Sequence, residues 1–169
     1  MPFARIRPPF EADERAQLVG WLDMQRAIIL WKCEGLSDQD AHRPVLPSSP
    51  LMTMAGLVKH LRWTESTWFE VLFLGGAATG PQFVGEEDDD MRADGVPLVQ
   101  LVAEYERQCQ VSNEIIAAHP LETTGKHPDF KSAAANLRWM VLHMIEETAR
   151  HAGHADAIRE LLDGQTGYY

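Results

Sequence analysis

Residues 143–154 read HMIEETARHAGH. Within this stretch, successive steps of four, four and three residues lead from His143 to Glu147, His151 and His154. At about 100° per residue on an α-helix, the four positions fall within an arc of about 80°. Imidazole and carboxylate groups on one helical face are typical ligands of transition metals. The stretch therefore predicts a helix that carries part of a metal site on one face.

Apolar residues recur at helical spacing in four long segments of the 169-residue chain, and no segment shows sustained β-alternation. Glycines bound these segments: Gly35 follows the first, Gly75-Gly76 the second and Gly164 the fourth. We expect helices at residues 13–34, 51–74 (beginning between Leu51 and Met54), 97–118 and 132–163. The pattern predicts an all-α fold, a four-helix bundle in a single domain that spans residues 1–169. The second and third connections are long enough for a crossover topology.

Charge limits the expected partners. The chain has 15 Lys and Arg against 25 Asp and Glu, a formal net charge of −10. We therefore expect no binding to nucleic acid and none to anionic membrane surfaces. No apolar stretch is long enough to span a membrane, and residues 1–9 lack the apolar run of a signal peptide. Cys33 and Cys109 show no disulfide or zinc spacing, so we expect a cytoplasmic protein.

A metal site on the last helix needs a ligand from a facing helix, and the second helix offers His60 beside its apolar face. Glu147 and His151, at positions i and i+4, lie side by side and are the first choice on the last helix. Together the three supply two neutral nitrogens and one carboxylate, the set found where a further position stays open to water or substrate. His143 and His154 are then left to line the pocket or to orient a ligand. The alternative is a seam of hydrogen-bonded histidines without metal.

The connection after the second helix contains the acidic run Glu86–Asp90. This run lacks the alternating ligand spacing and the central glycine of an EF-hand calcium loop. We interpret it as a solvated loop.

A resemblance to a known family rests chiefly on two stretches, and residues 35–41 (GLSDQDA) after the first helix also fit it. One is His60 in the setting GLVKHL at residues 56–61, and the other is the closing segment LRWMVLHMIEETARHAGHAD at residues 137–156. They resemble the DinB-like superfamily, in particular an actinobacterial branch of it, and the likeness covers nearly the whole chain. The closing segment is the more specific of the two.

The resemblance implies a four-helix bundle of the DinB/YfiT-like type and a homodimer. It also implies a divalent metal, zinc or nickel, held by side chains that fall on His60, Glu147 and His151. In many members all three ligands are histidine, so Glu147 is a departure from the usual set. A glutamate at this position resembles mycothiol-dependent maleylpyruvate isomerase. Related members are thiol-dependent transferases that use mycothiol, bacillithiol or glutathione.

Three functions fit these observations. The first is a metal-dependent thiol transferase or isomerase that joins a small-molecule thiol such as mycothiol to an electrophile, with His143 or His154 as the catalytic group that moves protons. The second is a metal-dependent hydrolase, ranked lower because the chain has no HExxH motif. The third is a non-enzymatic, metal-stabilised dimeric bundle. Whether the protein is an enzyme stays open at this point.

Overall fold

The computed structural model describes residues 4–167. Residues 1–3 and 168–169 of the expected domain lie outside this range. Residues 1–3 are also the start of the stretch 1–9, in which we expect no signal peptide. Within it the regular structure is helical, with an isolated β-bridge between Thr124 and Asn136. The helices are α1 (Glu14–Cys33), α2 (Asp38–Ala41), α3 (Met54–Glu65, continued by a π-helix at Ser66–Phe73), α4 (Pro81–Val84), α5 (Leu98–Ala118) and α6 (Leu137–Asp163). The all-α prediction is confirmed.

The sequence signals for α1 act as expected. The Asp13 carboxylate accepts a hydrogen bond from the backbone N–H of Ala16 at 2.9 Å and so caps the first turn. At the other end Gly35 takes a φ of +73°, a backbone conformation that residues with a Cβ rarely adopt.

The predicted start of the last helix at Ser132 is wrong, because α6 begins at Leu137. Residues Lys131–Ala134 form a separate 3₁₀ turn. The Asn136 side chain then caps the new helix by accepting from the backbone N–H of Trp139 at 2.9 Å. The N–H of Leu137 donates to the carbonyl of Thr123 at 2.8 Å, so the preceding connection also satisfies the first turn. These acceptors outweigh the helix propensity of the alanines before them.

The four long helices pack in an order that differs from their order in the chain. The closest pairs are α1 with α6 and α3 with α5, while α3 with α6 and α1 with α5 complete the packing. Two pairs of long helices therefore lie diagonally opposite each other: α1 with α3, and α5 with α6. The first and third connections therefore join diagonally placed helices, and the second joins neighbours. This arrangement places α3 beside α6, the two helices with the candidate ligands.

A buried ion pair joins the diagonally placed helices. Arg26 of α1 donates to Glu65 of α3 through Nε at 2.8 Å and through Nη2 at 2.6 Å, and both side chains are fully buried. Asp23 and Asn113 each accept from Nη1 of the same guanidinium at 2.7 Å. The π-helix begins at the residue after Glu65, so this contact marks the point at which α3 changes its winding.

None of the helices within residues 4–167 combines the length and the apolar character needed to cross a membrane.

Candidate metal centre

Helices α3 and α6 bring three of the candidate residues into direct contact. The Nε2 atom of His60 lies 3.2 Å from Oε1 of Glu147, and Nε2 of His151 lies 3.1 Å from the same oxygen. Their ligand atoms all lie within 4.8 Å of one another. The side chains of His60, Glu147 and His151 are 19%, 14% and 10% exposed, so the cluster is largely shielded but reachable. Two imidazoles thus converge on one carboxylate oxygen from two different helices.

The spacing of these atoms suits a small divalent ion. Ligand bonds of about 2.0–2.2 Å at tetrahedral angles put neighbouring donor atoms about 3.4 Å apart. The two nitrogen-to-oxygen distances, 3.2 and 3.1 Å, are close to that value. Two neutral nitrogens and one carboxylate oxygen are also a donor set that zinc and nickel accept. The residues present therefore fit a three-ligand metal site with an open position.

Hydrogen bonds within the cluster strongly shift the pKa values of His60 and Glu147. Burial lowers the pKa of His60, but hydrogen bonds with Asp90 and Glu147 outweigh that effect and raise it from 6.5 to about 9. Hydrogen bonds from His151 and then His60 hold the pKa of the Glu147 carboxyl far below its ordinary range, against the opposing effect of burial. Without a metal ion, a negative Glu147 is therefore matched by a protonated His60 at neutral pH.

Asp90 is a partner of the cluster that the sequence interpretation missed. Its Oδ2 atom lies 2.7 Å from Nδ1 of His60, and its side chain is 16% exposed. The prediction of a solvated loop for the acidic run holds for Glu86, Glu87 and Asp88, which are exposed. It is wrong for Asp90, because the chain turns this side chain towards α3. The signal in the sequence was the run itself, but nothing in it marked which carboxylate turns inward.

The other two histidines of the α6 stretch lie on either side of the cluster. His154 approaches His151, with their Nδ1 atoms 3.3 Å apart. Burial, followed by the electrostatic effects of His151 and Arg150, lowers the pKa of His154. His143 lies one turn before Glu147 and packs against the rings of Trp139 and Trp68, whose centroids are 5.3 and 4.5 Å from its own. The proton-transfer role of both histidines stays a prediction.

Arg150 adds a positive charge at the rim. Its Nη1 lies 3.8 Å from Oε2 of Glu147, the carboxylate oxygen that does not face the two imidazoles, and its Nη2 pairs with Glu146. Because Glu146 is half exposed and turned to Arg150, it takes no part in the cluster. The arrangement can hold a cation, and a basic group lies beside it.

Comparison with known proteins gives a match to a family. The family model described as Mycothiol-S-transferase matches residues 17–164, a range that includes most of α1, all of α3, α5 and α6, and all residues of the cluster. No curated protein and no solved structure matches the chain.

Proposed function

The chain belongs to the mycothiol-S-transferase family, and we propose that it is a divalent-metal-dependent S-transferase. Its substrates under this proposal are mycothiol, as the thiol, and a small electrophile. The family match supports the transferase reaction and the choice of thiol. The metal dependence is supported by the geometry of His60, Glu147 and His151.

One observation carries the proposal. The ligand atoms of these three side chains lie within 4.8 Å of one another although Glu147 and His60 are far apart in the sequence. Each atom comes from the helical core of α3 or α6 and not from a loop, so the set is positioned before any ligand arrives. Three protein ligands are one fewer than a closed tetrahedral site needs, which leaves room for a sulfur atom.

The chain's own residues have distinct tasks in this reaction. When bound, a divalent cation such as zinc or nickel would lower the pKa of a nearby thiol and favour the thiolate, the nucleophilic form. His60, Glu147 and His151 hold the cation. His154 or His143 accepts the thiol proton, because imidazole titrates near neutral pH. The sulfur then forms a bond to carbon of the electrophile as the leaving group departs with the bonding electron pair.

Titration calorimetry with mycothiol tests the proposal on the metal-loaded protein. The informative variant is Glu147→Gln, and Glu146→Gln is its matched control, because it removes the same charge from the adjacent, half-exposed residue. We expect about one metal ion per chain and mycothiol binding in the wild type and in the control. In Glu147→Gln we expect metal affinity to fall at least about 100-fold, beyond the range found for groups that only support a ligand.

Other results would contradict the proposal or favour one of the alternative functions. A metal-loaded wild type that binds no thiol contradicts the proposal. If it also cleaves simple esters in a chelator-sensitive way, the hydrolase is favoured. If chelation lowers thermal stability without any thiol binding or turnover, the ion is structural. The homodimer expected from the resemblance stays a prediction, which light scattering on the purified protein will check.

A further inference from the structure

We propose that Asp90 is a positioning residue of the metal centre, which holds the His60 ring so that Nε2 faces Glu147 and His151. The inference rests on the proposed metal-dependent function. It assigns a role to a segment between α4 and α5 that contributes no ligand of its own.

The two nitrogens of His60 face two different carboxylates. Nδ1 lies 2.7 Å from Oδ2 of Asp90, while Nε2 lies 3.2 Å from Oε1 of Glu147. An ionised carboxylate only accepts hydrogen bonds, so the nitrogen that faces Asp90 carries a hydrogen. A neutral imidazole has one N–H, so when Nε2 gives its lone pair to a cation the remaining hydrogen is the one on Nδ1. Asp90 therefore holds the hydrogen that a ligand ring keeps, and it fixes the rotation of the ring.

The segment that carries Asp90 is itself held against α3. Lys59, the neighbour of His60, donates through Nζ to the carbonyl of Asp89 at 2.8 Å and also to the carbonyl of Arg92. One turn earlier, Gly56 allows the close approach of the segment, because a Cβ there would lie 2.8 Å from the carbonyl oxygen of Met91. Three positions of α3 thus receive this one short segment, and its placement does not depend on the Asp90 contact alone.

Burial separates Asp90 from the rest of the acidic run. Its side chain is 16% exposed and that of His60 is 19% exposed, so their hydrogen bond is largely removed from competing water. Asp88, two residues earlier, is exposed and has a φ of +63°, a conformation that asparagine also tolerates. Asp88→Asn therefore removes the same charge from the same segment without touching His60.

Metal affinity, measured by competition with a chromophoric chelator, gives the first test. We expect Asp90→Ala to weaken binding of Zn²⁺ or Co²⁺ by about 10- to 100-fold, the range for loss of a partner behind a histidine ligand. Asp90→Asn should lose less, because its amide oxygen still accepts from Nδ1–H. Lys59→Met, which keeps Asp90 but releases the segment, should also weaken binding. Equal affinities in Asp90→Ala and in the Asp88→Asn control would overturn the inference.

Nitrogen NMR of the His60 ring gives a second test that needs neither metal nor activity. In the metal-free protein we expect a slowly exchanging hydrogen on Nδ1 of His60 in the wild type and in Asp88→Asn, and rapid exchange of this hydrogen with water in Asp90→Ala. His60→Gln identifies the signals. A wild type in which Nδ1 carries no protected hydrogen would contradict the inference even if metal binds. If the wild type binds no metal, the proposed function fails, while this spectrum still decides whether Asp90 orients the ring.

Discussion

Replacing Glu65 with leucine should destabilise the fold more than any comparable change at the surface. The carboxylate accepts from Nε of Arg26 at 2.8 Å and from Nη2 at 2.6 Å, and neither side chain is exposed. The variant leaves the guanidinium in the core without this counter-charge. Arginine stays protonated, so the charge cannot be removed by titration near neutral pH.

The expected size follows from the remaining contacts. Breaking a buried ion pair by removing one partner costs about 3–5 kcal/mol. Nη1 of Arg26 keeps its hydrogen bonds to Asp23 and Asn113, both at 2.7 Å, and Asp23 is 27% exposed, so part of the charge stays compensated. We therefore expect the lower end of the range, about 3 kcal/mol. That is a large share of the 5–15 kcal/mol typical of a single domain.

Urea unfolding of the metal-free protein, followed by far-UV circular dichroism, measures this loss. The matched control is Glu122→Leu, which breaks another Arg–Glu contact of the same length, 2.6 Å to Arg138, at a carboxylate that is 71% exposed. We expect no change in its unfolding midpoint beyond error. The double variant Arg26→Met with Glu65→Leu should be more stable than the sum of the single changes predicts, because it leaves no lone buried charge. A loss below about 1 kcal/mol for Glu65→Leu would refute the reasoning.

Four further predictions concern the titration of His60, thiol reactivity and a helix cap. Because a ligand histidine must be neutral and the metal-free pKa of His60 is about 9, apparent metal affinity should rise with pH up to about 9, as calorimetry at several pH values will show. Over the same range the metal-free protein should lose stability: the His60 contribution is fully present below its unfolded pKa of about 6.5 and is lost as pH rises through 9. Burial raises the pKa of Cys33 to about 12 and that of Cys109 well above its ordinary value, so Ellman's reagent at pH 8 should label neither thiol until the protein unfolds. Asn136→Ala should cost about 1 kcal/mol in urea unfolding and Ser132→Ala much less; the reverse order would restore the earlier start of α6.

The sequence predicts the long helices well because their limits are local. Asp13, Gly35 and Gly164 act within one helical turn of their own position, through a side-chain cap or a positive φ. The start of α6 is missed because Ser132 and Asn136 are both residue types that cap helices, and the carbonyl of Thr123 that supports the later start belongs to the preceding connection. No periodicity within residues 132–137 encodes that contact.

The residues of the candidate site likewise fall into those that local sequence predicts and those that depend on distant contacts. Glu147 and His151 follow from helical spacing on α6, and His60 adds one assumption, that the second and last helices face each other. The contact between α3 and α6 meets that assumption. Asp90 and the buried pair of Arg26 and Glu65 are not accessible to this reasoning, since each depends on how a connection or a diagonal helix lies in three dimensions. Arg26 in particular lies on a helix where spacing alone does not distinguish a buried guanidinium from an exposed one.

Charge links Asp90 and Arg150 to the predicted ligands. A divalent cation with two neutral imidazoles carries two positive charges, and Glu147 alone compensates one of them. Asp90, whose pKa is lowered chiefly by its hydrogen bond with His60, supplies the second negative charge. The bound site would then be close to neutral, so an incoming thiolate would make it negative. Arg150, with Nη1 at 3.8 Å from the outer oxygen of Glu147, lies where a positive charge offsets that excess. The acidic segment and the exposed arginine therefore belong to one electrostatic balance around the ligands, although neither contributes a donor atom.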